Sequence, residues 1–200
     1  MATVYYQGNH VYFRPFELED EPTLRRWIND PRIWTTVHSR PPMNAQRERE
    51  WVESQGKSET DYVFGVALTE GDRLIGSCGL HGISVRGHSA TLGIMIGEVE
   101  FHNRGLGTEI MQMLVRFGFE ELNLNRIELC VFEHNPRAIH VYEKVGFVLE
   151  GRHRQAAFRH GRYRDIFRYA ILREEWLAAQ KTVVEAKHAC KNLAVPGGVT

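Results

Sequence analysis

The sequence predicts a single α/β domain with a mixed, mainly antiparallel and twisted sheet flanked by helices. Apolar segments with strand-like alternation recur along the 200 residues without internal repeats, and capped segments with helical spacing lie between them. An apolar content of 42% is ample for one core at this length. We expect residues 1–177 to form the domain, and residues 178–200 to form a helical extension with a loosely ordered tail.

The first elements are predicted from caps and apolar spacing. Residues 11–16 have the composition of a strand, and Asp20 followed by Pro22 is typical of a helix start. Asn44 is expected to cap a second helix that ends near Gln55. The first helix carries its apolar residues on one face, namely Leu24, Trp27 and Ile28.

The middle of the chain is predicted to hold a hairpin, a further strand and a long helix. Residues 62–68 and 73–80 flank Glu70-Gly71-Asp72, which has the composition of a hairpin turn. Residues 89–96 are expected to form a strand that leads into a glycine-containing loop. From that loop a long amphipathic helix runs to about Leu122.

Three strands and one short helix are predicted to complete the sheet. Residues 126–131 form the next strand, and Asn135 followed by proline is expected to cap a helix of about ten residues. Gly146 is typical of the stop of such a helix. Residues 147–158 and 163–170 then form a closing hairpin.

The glycine-containing loop has the composition of a phosphate-binding site. A helix N-terminus leaves about four backbone N–H groups without partners and carries roughly half a positive charge. Gly105 and Gly107 would let phosphate oxygens approach those amides, and Asn103 or Arg104 can add a donor. A dinucleotide-binding loop is excluded because Ile110 stands where a third glycine is needed, and the Lys-Ser/Thr of a P-loop is missing.

The segment from Asn135 to Phe147 is predicted to contact the same ligand. Asn135 and Tyr142 are seven positions apart, which is nearly two helical turns at about 100° per residue. The two side chains therefore point the same way and can reach one ligand. This second segment distinguishes the loop from an ordinary strand-to-helix turn.

Together, the two segments resemble the GNAT superfamily of acetyl-CoA-dependent N-acetyltransferases. The pyrophosphate signature of that family is Q/R-x-x-G-x-G/A, and residues 102–107 follow it except at the first position. The later segment of the family is N-x-x-A-x-x-x-Y-x-x-x-G-F, and residues 135–147 follow it throughout. His102 departs from the signature, and we expect it to alter cofactor affinity or its pH dependence rather than abolish binding. Arg14-Pro15 and Gly161-Arg-Tyr-Arg-Asp165 are similar to the branch of ribosomal-protein (Rim-type) and spermidine N-acetyltransferases.

The resemblance implies direct transfer of the acetyl group of acetyl-CoA to a primary amine. The acceptor would be a peptide or protein N-terminus or a small-molecule amine. A polyamine or amino-sugar acetyltransferase is an alternative, and a noncatalytic acyl-CoA-binding regulatory module is another. Acetyl-CoA is the expected cosubstrate, and no metal is expected, since the sequence has no short-spaced set of metal ligands.

The resemblance and the chemistry of the loop together predict the cofactor site. Gly97 is expected to weaken strand pairing, so that the preceding strand splays from its neighbour and leaves backbone N–H groups for an oxyanion. The predicted cofactor-binding residues are Met95, Ile96, Gly97, His102, Asn103, Arg104, Gly105, Leu106, Gly107, Thr108, Asn135 and Tyr142.

Two catalytic residues are predicted. Tyr142 matches the family's tyrosine and is expected to protonate the departing thiolate, because a phenol with a pKa near 10 is protonated at neutral pH. Glu98, His81 and Glu128 are the alternatives for relaying the amine proton through water. Of these, Glu98 is placed with Tyr142 as the predicted catalytic pair.

The acceptor side is predicted from the first helix and the loop after it, which line the acceptor in the family. The acidic residues before that helix would suit a polyamine, although the helix dipole explains them equally well. The final hairpin is rich in arginine, with Arg152, Arg154, Arg159, Arg162, Arg164 and Arg168. These arginines would suit an anionic acceptor, although a solvated hairpin face explains them as well. The predicted substrate contacts are Trp27, Asn29, Asp30 and Trp34.

The remaining composition predicts a cytoplasmic protein. No apolar run approaches the ~20 residues of a membrane span, and the N-terminus lacks a secretory signal. Three cysteines without a CxxC motif indicate a reducing compartment. The formal net charge of zero argues against nonspecific nucleic-acid binding. We expect acetyl-CoA and an amine as partners, no nucleic acid or membrane, and a monomer or homodimer.

Overall fold

The caps and apolar patterns of the sequence produce helices and strands close to the predicted positions. A computed structural model describes residues 4–38, 42–159 and 161–182. The strands are β1 (Tyr6–Gln7), β2 (Val11–Arg14), β3 (Tyr62–Leu68), β4 (Leu74–Ser84), β5 (Ser89–Ile96), β6 (Arg126–Phe132), β7 (Val148–Arg159) and β8 (Arg162–Leu172). The helices are α1 (Glu21–Asn29), α2 (Pro31–Trp34), α3 (Ala45–Gln55), α4 (Leu106–Glu120) and α5 (Pro136–Val145).

The eight strands form one sheet with the order β1-β2-β3-β4-β5-β6-β8-β7. Every neighbouring pair is antiparallel except β5 and β6, which are parallel. The prediction of a mixed, mainly antiparallel sheet flanked by helices is therefore confirmed. β1 and α2 were not predicted, because each is too short to show a periodic pattern.

The predicted splay of two central strands is present, but it begins earlier than expected. β5 and β6 pair only as far as Thr91 and Glu128, although both strands continue beyond this point. Gly97 does not cause the separation, because its N–H donates to Ile75 O at 2.9 Å. The physical reason given for Gly97 is therefore wrong, and the opening starts after Thr91.

Helices cover both faces of the sheet. Leu92 and Met95 lie an odd number of residues apart on β5, so their side chains face opposite sides. Leu92 belongs to the large core that contains Ile110 and Leu114 of α4. Met95 packs instead against a smaller cluster formed by α1 and α3, in which the buried residues are Leu24, Trp27 and Val52.

Side-chain caps fix the ends of the helices near the opening. Asn44 Oδ1 accepts from Arg47 N at 2.9 Å, and Asn135 Oδ1 accepts from Ala138 N at 3.2 Å. Gly146 ends α5 in the left-handed region with φ of 108°. In the three described ranges, no helix combines the length and apolar character needed to cross a membrane.

The C-terminal prediction is covered in part. Residues 173–182 are helical, so the predicted domain boundary at 177 falls within a helix. Trp176 of this helix contacts Phe119 of α4, with ring centroids 5.4 Å apart. The tail predicted to be loosely ordered lies outside the described residues from 183 onward.

Candidate active site

A cavity of about 950 Å³ occupies the opening between β5 and β6. Its walls include Ile94 and Ile96 from β5 and Cys130 and Val131 from β6. On one side it reaches the loop before α4 and the inner face of α5, and on the other side it reaches α1 and α3. The cavity therefore connects the two helical layers through the sheet.

The loop before α4 presents free backbone donors to this cavity. Gly105 is the N-cap of α4 and is left-handed, with φ of 81°. The N–H groups of Thr108 and Glu109 both bond to Gly105 O, at 3.0 and 3.2 Å. The amides of Leu106 and Gly107 precede the first intrahelical bonds, so they are the donors available to an anion.

The side chains of the loop divide between the cavity and the rest of the fold. Arg104 does not line the cavity, because its guanidinium lies over the Phe101 ring at 5.2 Å from the centroid. The Leu106 side chain is buried in the core, so only its backbone is available. The loop residues that do line the cavity are His102, Asn103, Gly105, Gly107 and Thr108.

His102 links the end of β5 to the first turn of α5. Its Nε2 lies 2.8 Å from Ile96 O, and its Nδ1 lies 2.7 Å from Nη1 of Arg137. A guanidinium can only donate, so Nδ1 accepts and Nε2–H donates to the carbonyl. His102 is therefore neutral in this arrangement, and it holds Arg137 at the edge of the cavity.

Arg137 is a cavity residue that sequence reasoning missed. A cation in the first turn of a helix is disfavoured by the helix dipole. An arginine at the start of α5 could have indicated a ligand site, since a bound anion there would offset the unfavourable interaction between the guanidinium and the helix dipole. Its guanidinium supplies positive charge beside the free amides of the loop.

Tyr142 lies in the same cavity as Asn135, as the helical spacing predicted. Its side chain is only 8% exposed, and burial raises the pKa of the phenol to about 12. The hydroxyl forms no hydrogen bond with any residue of the described ranges. Tyr142 is therefore a protonated donor that is free to bond to a ligand.

Glu98 is not arranged as a general base. Its carboxylate is bonded to Arg26, accepts from Trp27 Nε1 at 3.0 Å and lies 3.0 Å from Arg73 Nη2. The residue is 6% exposed and does not line the cavity. Two guanidinium groups and an indole contact its oxygens, so they are not free to accept a proton from the amine. The prediction of Glu98 as the catalytic partner of Tyr142, in preference to His81 and Glu128, is therefore corrected.

The other two base candidates differ in position. Glu128 is paired with Arg126 at 3.0 Å and lies outside the cavity wall. His81 lines the cavity, and its Nδ1 faces Asp61 Oδ1 at 3.4 Å. Of the three alternatives, His81 is therefore the one that the fold brings to the cavity.

The backbone N–H groups of β5 point alternately toward β4 and toward the opening between β5 and β6. Gly97 N–H is bonded to β4, and hydrogen-bonded residues alternate along an antiparallel ladder, so Met95 also faces β4. The amides of Ile94 and Ile96 then point toward the opening. Of the predicted oxyanion segment, only Ile96 keeps a backbone donor aimed at the cavity, because Met95 and Gly97 use theirs in the sheet.

The four predicted substrate contacts do not line the cavity. Trp27 is 1% exposed and bonds to Glu98, and Asn29 holds the Met43 backbone through two bonds of 2.8 and 2.9 Å. Asp30 caps α2 by accepting from a backbone N–H and pairs with an arginine. Trp34 also lies outside the wall. The prediction found the correct elements, but the residues of those elements that line the cavity are Leu24, Ile28 and Ile33.

The acceptor half of the cavity is formed instead by apolar side chains with one carboxylate. Glu48 of α3 is 5% exposed and lines the cavity. Burial, together with the nearby Glu21, raises the pKa of Glu48. The apolar residues around it are Leu24, Ile28, Ile33, Met43 and Trp51.

The two charge clusters seen in the sequence are partly neutralised within the fold. Asp20 pairs with Arg14 at 2.7 Å, and Glu21 pairs with Arg25 at 2.6 Å. In the final hairpin, ion pairs join Arg152 to Asp165 and Arg164 to Glu133. Within the described residues, no group of three metal-ligating side chains could hold a metal ion.

Comparisons with known proteins agree with the geometry. Residues 10–148 match the acetyltransferase (GNAT) domain family. The chain is 32% identical over 177 residues to probable N-acetyltransferase YjcK of Bacillus subtilis (strain 168), covering 83% of this chain and 96% of that protein. It is 28% identical over 174 residues to putative ribosomal N-acetyltransferase YdaF of the same organism, covering 84% and 94%.

A solved structure has the same fold with a ligand bound. Spermidine N-acetyltransferase from Vibrio cholerae, in complex with CoA and spermine, superposes with a TM-score of 0.79 at 28% identity. The match covers 85% of this chain and 99% of that one. Because the family match spans most of the chain and the cavity offers a phosphate loop joined to an acceptor half, the chain belongs to the GNAT family and is an acetyl-CoA-dependent N-acetyltransferase.

Proposed function

We propose that the protein transfers the acetyl group directly to a primary alkylamine, and that the two substrates meet in the opening between β5 and β6. The observation that carries this proposal is the single cavity that joins the phosphate loop to an acceptor half on the opposite face of the sheet. Neither cavity cysteine, Cys78 or Cys130, bonds to a histidine within the described residues. An acyl-enzyme would therefore lack an activated thiolate.

The cofactor is proposed to run from the loop along β5. Its pyrophosphate would accept from the amides of Leu106 and Gly107, with Arg137 beside it. The amides of Ile94 and Ile96 would then bond to the arm of the cofactor. A strand rises about 3.3 Å per residue, so following β5 back from Ile96 by four residues spans roughly 13 Å. In this proposed arrangement, the thioester would lie near the point where the strands separate.

The proposed chemistry needs one proton acceptor and one proton donor. The amine loses a proton and attacks the thioester carbonyl carbon, and the resulting oxyanion is stabilised by a backbone N–H of β5. The C–S bond then breaks, and the thiolate takes a proton from Tyr142. Burial supports this role, because the raised pKa keeps the phenol protonated at neutral pH.

For the acceptor, we propose an alkylamine that carries a second cationic group, such as a polyamine. Glu48 supports this choice, because a carboxylate that is 5% exposed and lines the cavity is stabilised by an ammonium ion bound beside it. The apolar walls around it suit the methylene segments between the nitrogen atoms. The Vibrio cholerae relative has spermine bound in its structure, which agrees with this acceptor class.

A peptide N-terminus is the second candidate acceptor. A neighbouring cavity of about 350 Å³ is lined by His38, Phe132 and Arg159, and the Arg159 guanidinium lies over the Phe132 ring at 5.3 Å. This cationic and aromatic surface would suit an acidic or aromatic side chain of a peptide. The Bacillus subtilis relative YdaF is described as a putative ribosomal N-acetyltransferase, which agrees with this second acceptor class.

A screen with purified protein tests the proposal. The protein is incubated with acetyl-CoA and, separately, spermine, spermidine, glucosamine, amino acids and N-terminal peptides, and CoA thiol release and the acetylated product are measured. We expect the highest kcat/KM with spermine or spermidine. Binding of acetyl-CoA without product from any amine would instead indicate a noncatalytic acyl-CoA-binding module.

We also propose that the protein acts in the cytoplasm as a monomer or homodimer. Cys78 and Cys130 are both free thiols, as expected of a protein in a reducing compartment. Size-exclusion chromatography with light scattering tests the oligomeric state.

A further inference from the structure

His81 lies at the branch point of the sheet. On β4 it is opposite Thr91, which is the last residue of β5 that pairs with β6. A β-carbon added at Gly79 would be 3.2 Å from His81 Nε2, and one added at Gly93 would be 3.3 Å from it. The imidazole therefore extends over this pair of glycines, and Nε2 lies next to Gly93, two positions beyond the last paired residue of β5.

The opposite nitrogen of His81 faces a fixed carboxylate. Asp61 Oδ1 lies 3.4 Å from His81 Nδ1. Asp61 itself accepts from Ser58 Oγ at 2.7 Å and from Gly82 N at 2.9 Å. These two hydrogen bonds, followed by the interaction with His81, hold the pKa of Asp61 below its usual value. An ionised carboxylate thus faces Nδ1 and orients the ring.

We propose that His81 is the general base that accepts the proton of the acceptor amine, and that Asp61 is its positioning residue. The inference rests on the proposed amine acetylation. It selects His81 because Nε2 lies beside Gly93 near the branch point, where the thioester is proposed to lie, while Nδ1 is turned away toward Asp61. The two glycines leave the space that the ring occupies.

The proton balance of the step is simple. An ammonium ion RNH3+ gives one proton to His81 Nε2, which becomes an imidazolium, and the neutral amine forms the C–N bond. When the C–S bond breaks, the thiolate takes the proton of Tyr142, and the second nitrogen proton of the amine restores Tyr142. His81 then releases its proton to solvent, so one proton is produced for each amide and each CoA thiol.

Other titratable groups share the cavity and must be separated from His81 by experiment. His102 has both ring nitrogens engaged, at 2.8 and 2.7 Å. His38 packs against Phe132 with ring centroids 4.6 Å apart and the ring planes tilted by 33°, and it is the rival imidazole on the acceptor side. The remaining charged or titratable groups that line the cavity are Glu48, Cys78, Cys130, Arg137, His140, Tyr142 and Lys144.

The experiment compares pH profiles of kcat/KM for the acceptor with the highest activity in the amine screen. The variants are His81→Asn, Asp61→Asn and His38→Asn. His88→Asn is the matched control, because His88 lies outside the cavity in a left-handed conformation that asparagine tolerates. Calorimetry measures acetyl-CoA affinity for each variant.

We expect His81→Asn to lower kcat/KM at neutral pH by about 100-fold or more, as loss of a general base typically does. The difference in kcat/KM from the wild type should become smaller as pH rises, because the amine then loses its proton to solvent without a general base. Acetyl-CoA affinity should stay within about twofold of the wild-type value. Asp61→Asn should cause a smaller loss of kcat/KM with unchanged acetyl-CoA affinity, since the imidazole is still present but has lost the carboxylate that orients it.

Two results would overturn the inference separately from the proposed function. A folded, active His81→Asn variant with the wild-type acidic limb would remove His81 from the proton path. Loss of that limb in His38→Asn alone would assign the role to His38. Wild-type protein that releases no CoA with any amine would overturn the proposed function and, with it, this inference.

Discussion

The indole ring of Trp27 lies directly against the backbone of Gly97. A β-carbon at Gly97 would come within 2.0 Å of Trp27 Cδ2 and 2.3 Å of Cγ, far inside any real contact. The same ring donates from Nε1 to Glu98. Glycine is therefore required where β5 ends because α1 approaches its backbone here, and this contact fixes α1 at the edge of the site.

Gly97→Ala should destabilise the protein by about 1–3 kcal/mol, because a fully buried indole has little space into which it can move. Urea unfolding measures the change. Gly56→Ala is the matched control, since a β-carbon at Gly56 meets nothing within 4 Å and its φ is −74°. Equal stability of the two variants would show that Trp27 moves aside without cost.

Gly107→Ala should weaken acetyl-CoA binding at least tenfold, about 1.4 kcal/mol, without loss of stability. A β-carbon there would make ordinary contacts, the nearest at 3.7 Å from Ile96 Cδ1, so the fold accepts it. Alanine also favours a helix over glycine. The methyl group would meet the phosphate instead. Calorimetry gives the affinity, and an unchanged value would remove the Gly107 amide from the cofactor site.

Gly105 behaves differently from Gly107 and serves as the comparison. Its φ of 81° would strain an alanine by about 1–2 kcal/mol, although no atom lies within 4 Å of the added carbon. Gly105→Ala should therefore lower the melting temperature, whereas Gly107→Ala should not. The two glycines of one signature thus act through different physical effects.

Local signals in the sequence were sufficient for most of the fold. The strand predicted over 89–96 is β5 residue for residue, and Asn135 and Gly146 delimit α5 as expected. Helix caps and the alternation of apolar and polar residues in strands depend only on residues close in sequence, so they predict these elements correctly. The start of the splay was misplaced because pairing between β5 and β6 depends on two segments far apart in the chain.

The acceptor side shows why part of the site was missed. The predicted substrate contacts lie on α1 and the segment that follows it, but Asn29 and Asp30 hold backbone groups of their own surroundings. Glu48 was not considered, because an acid on a polar helix is normally solvated. Which face of a helix meets a cavity is decided by packing between distant elements, and periodicity alone does not report it.

Tyr142→Phe should lower kcat by about 10²–10⁴-fold and leave acetyl-CoA affinity unchanged, because only the proton donor to the thiolate is removed. Single-turnover measurements report the chemical step. Tyr62→Phe is the matched control, since Tyr62 is 39% exposed and does not line the cavity. A wild-type rate in Tyr142→Phe would leave this tyrosine with a packing role alone.

Glu48→Gln should raise KM for spermine roughly tenfold or more, since a hydrogen bond to a charged group contributes about 1.5–3 kcal/mol. It should leave KM for butylamine nearly unchanged, because a monoamine has no second cation to place beside the carboxylate. The same change should raise the melting temperature slightly at neutral pH. Burial raises the pKa of Glu48, so its ionised form costs stability once the pH exceeds the usual carboxyl range, and glutamine removes that charge. Parallel losses for both amines would show that Glu48 shapes the cavity rather than binding the second ammonium.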